Sequence, residues 1–176
     1  GAALTLFSGD KLLGGPQSGL IAGHKSWVDL VSKHPLARAV RIDKMTLSAI
    51  AATLVTYLKD SYEKEIPIWN MISTSESEIA NRAEEWREKT GVGALERARS
   101  AIGGGSLPGQ TLPTTVLVIE PVGSADSFAS RLRQSPVAVI ARIDNSKVLL
   151  DPRTVMSNQN DAVIEAIKFA LDHDSK

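Results

Sequence analysis

"TLFSGDKLLGGPQSG", residues 5–19, sets one lysine between an aspartate and a Gly-Gly-Pro turn, directly after a short apolar run. An apolar run closed by Ser, Gly and Asp reads as a strand that has just ended. A second run, "GLIAG", begins at Gly19. Two short strands, 3–7 and 19–23, are therefore expected to flank a loop that carries Lys11. A lysine works as a nucleophile toward an aldehyde only where its backbone is held and its amine can reach the carbonyl. Glycine supplies the turn and lets a second group approach closely. Ser8, three residues earlier, offers a hydroxyl to an anionic group. Asp10 has two readings: an acceptor that positions the lysine, or a turn residue making an Asx contact. On the local pattern alone, a lysine followed by glycines is most often a surface turn.

Outward from this loop, residues 25–33 suit a short helix with Trp27, Leu30 and Val31 on one face, ended by Pro35. The longest helical pattern runs from Lys44 to about Lys64, with Met45, Leu47, Ile50, Leu54, Tyr57 and Leu58 near helical spacing. Such a helix suits a link between two domains, and the break at Ile66-Pro67 fits a boundary, giving 1–66 and 67–176. Beyond it, "STSESEIANRAEEWREKTG" (73–91) is a helix with clear punctuation: Ser75 or Ser77 as cap, acids in the first turns, Gly91 at the end.

The rest alternates strands (92–102, 114–120, 137–143, 147–150) with helices (124–134, 160–173), and Asp144-Asn145-Ser146 is a hairpin signal. The expected class is α/β, with a small open-faced sandwich on a mainly antiparallel sheet. Trp27, Trp69 and Trp86 sit in apolar patterns and are expected in a core or an interface. "GGGSLPG" (103–109) lacks the Gly-Lys-Ser/Thr ending of a Walker loop and reads as a turn or bulge between strands.

Composition narrows the function classes. Hydrophobic residues make up 43% and charged residues 23%, as in an ordinary soluble globular protein. Lys plus Arg and Asp plus Glu both count 20, so bulk charge gives no sign of nucleic acid as a partner. A local positive stretch stands out nonetheless: between residues 24 and 44, Lys25, Lys33, Arg38, Arg41 and Lys44 face only Asp29 and Asp43. Without cysteine there is no disulfide, thiolate nucleophile or zinc knuckle. His24 and His34 have no partner at ligand spacing, so no metal is expected. No apolar run has membrane length, and a cytoplasmic protein is expected. A chain that opens inside an apolar strand is expected to be the later part of a longer one.

"FSGDKLLGGPQSGLIAG" (7–23), "HPLARAVRIDKMTLSAIAATLVTYL" (34–58) and "GGGSLPGQTLPT" (103–114) closely resemble the bacterial selenocysteine synthases, the L-seryl-tRNA(Sec) selenium transferases. These are pyridoxal phosphate enzymes of the aspartate aminotransferase fold type, and the resemblance is to the C-terminal part of their chain. It implies that residues 1–66 end the cofactor-binding large domain with its long linking helix, and that 67–176 form the small C-terminal domain. It implies that Lys11 carries pyridoxal 5'-phosphate as an imine, with Ser8 and Asp10 beside the cofactor and Gly14 and Gly15 reaching the cofactor phosphate of a neighbouring subunit. Arg38 and Arg41 match positions lining the selenophosphate pocket; guanidinium forks suit a small polyanion, and at i and i+3 the two would share one face of a helical turn. Read without the resemblance, they are a solvated pair after a proline.

The implied activity converts seryl-tRNA(Sec) to selenocysteinyl-tRNA(Sec) with selenophosphate, through a dehydroalanyl intermediate, in a dimer-based homo-oligomer. Lys11, once displaced, is the natural base for the Cα proton. The acid for the pyridine nitrogen, most of the phosphate cup and the tRNA-binding region are expected before Gly1, so these residues alone are expected to be inactive. Two alternatives stay open: a related lyase acting on a small amino acid or amino-sugar acid, and a non-catalytic piece that supports assembly.

Overall fold

Leu4–Ser8 (β1) and Gly19–Gly23 (β2) pair antiparallel, with Leu4 opposite Gly23 and Ser8 opposite Gly19. Residues 9–18 are thereby held as one loop. The computed structural model describes residues 1–103 and 106–172, and the chain divides into two compact units, Gly1–Asn70 and Met71–Lys176.

In the first unit, β1 and β2 are followed by helices α1 (Lys25–Ser32), α2 (Pro35–Ala39), α3 (Lys44–Leu58) and α4 (Tyr62–Glu65). Helix α5 (Pro67–Ser73) runs across the division. Pro35 does more than end a helix. It opens α2 at the first position, where its missing N–H leaves no bond unmade. The helix expected over 44–64 is shorter than its apolar pattern. It closes at Leu58, where Lys59 N–H donates to Val55 O at 3.0 Å, and Asp60 turns to φ 55°, a left-handed conformation that no helix continues. Among the described residues of this unit, the large apolar side chains that are buried are Ile50 and Ile66.

The second unit is a four-stranded antiparallel sheet in the order β3-β4-β6-β5, from Ala94–Ala101 (β3), Thr111–Ile119 (β4), Arg142–Asp144 (β5) and Lys147–Leu150 (β6). Helices α6 (Glu76–Thr90), α7 (Ala125–Gln134) and α8 (Asn160–Asp172) pack with it. Trp86, Leu117, Ile119, Phe128, Leu132, Val148, Leu150, Ile164 and Ile167 share one buried core. The unbroken apolar run Val116–Ile119 is buried at every position, as a strand covered on both faces requires.

The helix over 76–90 has the ends its sequence signals: the Ser75 hydroxyl accepts from Glu78 N–H at 3.2 Å, and Gly91 adopts φ 71°. The hairpin also forms, Asp144 opposite Lys147 with Asn145 and Ser146 both at positive φ, the geometry of a two-residue type I′ turn. The strand expected over 137–143 is cut to Arg142–Asp144. Residues before it are drawn back onto the end of α7: Val139 N–H donates to Leu132 O at 3.0 Å, and the Ser135 hydroxyl lies 2.8 Å from Leu132 O and 2.7 Å from Val137 O. The run 103–109, expected as a turn between β3 and β4, includes two residues outside the described ones.

Two buried arginines organise the segment between β6 and α8. Arg82, 8% exposed, donates from Nε (3.0 Å) and Nη2 (2.8 Å) to Asn160 Oδ1 and from Nη2 to Val155 O (2.8 Å). Arg153, 6% exposed, donates to the carbonyls of Met71 (2.9 Å), Thr74 (2.9 Å) and Pro113 (2.7 Å). Burial pushes both guanidinium groups down from their ordinary value.

Candidate functional site

The loop around Lys11 is built almost wholly from backbone hydrogen bonds. Gly9 N–H donates to Ser18 O (2.8 Å), Gly15 N–H to Gly9 O (2.8 Å) and Gly14 N–H to Lys11 O (2.9 Å), so Lys11–Gly14 is a closed four-residue turn. Gly14 sits at φ 75°, and a Cβ there would lie 2.1 Å from Ile66 Cγ2. Gly9 is buried, and a Cβ on it would meet the Ser18 hydroxyl, Pro16 O and Ile50 Cδ1, all within 2.8 Å. The glycines of the motif thus admit α3 and the segment after α4 against the loop. That packing is a reason for Gly14 and Gly15 within this chain itself.

Lys11 projects from this framed turn and is exposed. Among the described residues its amine makes no hydrogen bond or ion pair. Asp10 is exposed too, and its carboxylate bonds neither the lysine nor a backbone N–H of the turn. Ser8, at the end of β1, is half-buried. One residue that the sequence pattern shows only as an apolar helix position joins the site: the Tyr57 hydroxyl donates to Leu13 O at 2.9 Å, with Leu12 O at 3.3 Å, and accepts from Trp69 Nε1 at 2.7 Å.

Arg38 lies in α2, but Arg41 falls outside it. The helix ends at Ala39, with Val40 N–H donating to Leu36 O at 3.0 Å and Val40 already non-helical at φ −101° and ψ 5°. The two arginines therefore do not share one face of a helical turn as their spacing suggested. The chain must leave the helix here because Asp43 caps the next one in an extended conformation. Its Oδ1 accepts from Met45 N–H (2.7 Å) and Thr46 N–H (2.9 Å), and its Oδ2 from the Thr46 hydroxyl (2.7 Å). These bonds, the Thr46 hydroxyl first, hold the Asp43 carboxyl below the usual carboxylate range. His34 caps α2, its Nδ1 accepting from Leu36 N–H at 3.2 Å.

Both acids of the 24–44 stretch are thus engaged, Asp43 as a cap and Asp29 in an ion pair with Lys25 at 2.5 Å. Lys33, Arg38, Arg41 and Lys44 are exposed and make no ion pair among the described residues. No hydrogen bond or ion pair joins Arg38 or Arg41 to Lys11, Asp10 or Ser8. The second unit holds a cleft of about 470 Å³ lined by Glu76, Ser77, Ala80, Leu95, Glu96, Arg97 and Thr115. None of the expected site residues lines it. Among the described residues no three His, Asp or Glu side chains group as a metal site, and no helix is long and apolar enough to cross a membrane.

The architecture is that of a mixed α/β protein with antiparallel sheets and a lysine presented on a glycine-bearing turn. It matches the solved structure of D-glucosaminate-6-phosphate ammonia-lyase with a TM-score of 0.66 at 20% identity, covering 100% of this chain and 45% of that one. At that identity the likeness is one of fold. The chain belongs to the L-seryl-tRNA selenium transferase family, whose sequence profile matches residues 1–156. Relatives named L-seryl-tRNA(Sec) selenium transferase include those of Geobacter sulfurreducens (40% identical, 96% of this chain, 38% of the relative). Others come from Carboxydothermus hydrogenoformans (39%, 92% and 36%) and Geotalea daltonii (41%, 97% and 38%). The chain therefore spans about two fifths of the length of these curated relatives.

Proposed function

We propose that this chain supplies the cofactor lysine and the selenium-donor arginines of a pyridoxal phosphate enzyme that converts seryl-tRNA(Sec) to selenocysteinyl-tRNA(Sec). The observation that carries the reading is Lys11: an exposed primary amine, unpaired among the described residues, on a turn closed by the Gly14 N–H bond to Lys11 O and framed by the bonds of Gly9 and Gly15. A framed, unpaired amine fits the aldehyde of pyridoxal phosphate, and the Ser8 hydroxyl suits its anionic group. When bound, that group supplies a sink for the electrons of the breaking Cα–H bond. Lys11 would hold the group by its aldehyde, and its free amine would take the Cα proton at Nζ. Asp10 lies beside the lysine, and Gly14 and Gly15, their N–H groups already given to Lys11 O and Gly9 O, offer the phosphate of a neighbouring subunit's cofactor close approach to side-chain-free backbone rather than a hydrogen bond.

Arg38 and Arg41 hold selenophosphate by paired N–H donors. In this reading residues 1–66 belong to the large domain of the aspartate aminotransferase fold type and 67–176 to its small domain. The enzyme is a dimer-based homo-oligomer of the cytoplasm, completed by the part of the relatives' length this chain does not span. A related lyase acting on a small amino acid or amino-sugar acid needs no second anion site. The unpaired cations Lys33, Arg38, Arg41 and Lys44 favour the transferase over it.

Borohydride reduction of the whole protein with pyridoxal phosphate, followed by peptide mapping, tests the lysine. Label concentrated on Lys11 and lost in Lys11→Ala is the expected result. Label scattered over Lys25, Lys33 and Lys44 would reject the assignment and leave the non-catalytic reading. Arg38→Ala and Arg41→Ala are expected to raise KM for selenophosphate tenfold or more while leaving that labelling unchanged; each removes a charge-assisted bond, roughly 1.5–3 kcal/mol. An unchanged KM would remove the arginines from the site.

A further inference from the structure

The Tyr57 side chain, which the motif does not contain, hydrogen-bonds the Lys11 turn. Lys11 O is taken by Gly14 N–H, and the next two carbonyls, Leu12 O and Leu13 O, face the Tyr57 hydroxyl at 3.3 and 2.9 Å. That hydroxyl has a single proton to donate. Trp69 Nε1, 2.7 Å away, donates to the same oxygen and so directs the proton toward the turn. The rings are fixed in turn: Tyr57 stacks on Tyr62 (centroids 4.9 Å apart, 12° between planes), and Tyr62 meets Trp69 edge-on at 5.4 Å. Ile66, between these aromatic residues in sequence, packs at Gly14.

We propose that Tyr57, oriented by Trp69, is the positioning residue for Lys11: it pins the carbonyls that follow the lysine and so fixes where the amine is presented. The inference rests on Lys11 being the cofactor lysine. Holding the backbone from the C-terminal side leaves the lysine side chain unpaired, which a direct contact to the amine would not.

The test is Tyr57→Phe, which keeps the ring stacked on Tyr62 and removes only the hydroxyl. Amide exchange at Gly14 and Gly15 is expected to quicken about fivefold, the loss of one net hydrogen bond, with Leu117 and Ile167 unchanged as controls on the fold. In the pyridoxal phosphate and borohydride experiment, the share of label on Lys11 relative to Lys25 and Lys33 is expected to fall by a similar factor. Trp69→Phe, which keeps the hydroxyl but removes the donor orienting it, is expected to give a smaller change in the same direction. Unchanged exchange at Gly14 and Gly15 would overturn the proposal. So would faster exchange with an undiminished Lys11 share, which would make Tyr57 a purely structural tie. Failure of the wild-type protein to label Lys11 preferentially would instead sink the lysine assignment, and the exchange data would still report whether the tie exists.

Discussion

Gly14 shows how little room the lysine turn has. Its φ of 75° disfavours any side chain, and the space a Cβ would need is filled by Ile66 Cγ2. Gly14→Ala is expected to destabilise the protein by about 3 kcal/mol, combining left-handed strain with overpacking. Urea unfolding measures it. Because the clash is with one residue, the double variant with Ile66→Ala should fall short of additivity by at least about 1 kcal/mol; full additivity would mean the turn relaxes by another route. At this scale the sequence showed the lysine and its glycines, since local turn chemistry is written in neighbouring residues. It showed Tyr57 only as one apolar position of a helix, because its partners Leu12, Leu13 and Trp69 are distant in sequence or lie on another element.

The elements divide by how local their determinants are. Helix α6 starts at the Ser75 cap and stops at Gly91 as its sequence indicates, and the Asn145-Ser146 turn sets the β5–β6 register. Helix α3 ends earlier than its apolar spacing suggests, at the left-handed Asp60, and residues 137–141 are no strand because Val139 and Ser135 tie them back to the end of α7. The start of α8 is a further such tie. Asn160 Oδ1 accepts from Arg82 Nε and Nη2 and from Trp86 Nε1 at 3.2 Å, joining α8 to α6. Asn160→Ala strands these part-buried donors and is expected to cost about 2–3 kcal/mol. Asn160→Asp, which keeps an acceptor beside the guanidinium, should recover most of it. Equal losses for both variants would show that the amide is held for packing rather than for its oxygen.

Over the whole molecule, apolar burial is uneven. The shared core belongs to Met71–Lys176, whereas the first unit leaves Trp27 at 50%, Met45 at 84% and Leu58 at 87% exposed. Local stability follows buried contact, so native-state amide exchange is expected to be slowest at 116–119, 128–132 and 163–170. Exchange across 25–47 should be faster by at least about a hundredfold. Uniform protection along the chain would contradict this distribution. The sequence by itself determined the α/β class, the antiparallel hairpins, the caps of α6, the lysine turn and the family, because each is written in short spacings and residue types. Only the tertiary structure decided that Arg82 and Arg153 are buried, that Arg41 leaves the helix carrying Arg38, and that Tyr57 grips the Lys11 turn. Those outcomes depend on which distant backbone carbonyls and side chains fold into reach, and a hydrogen bond between residues far apart in the chain leaves no periodicity to read.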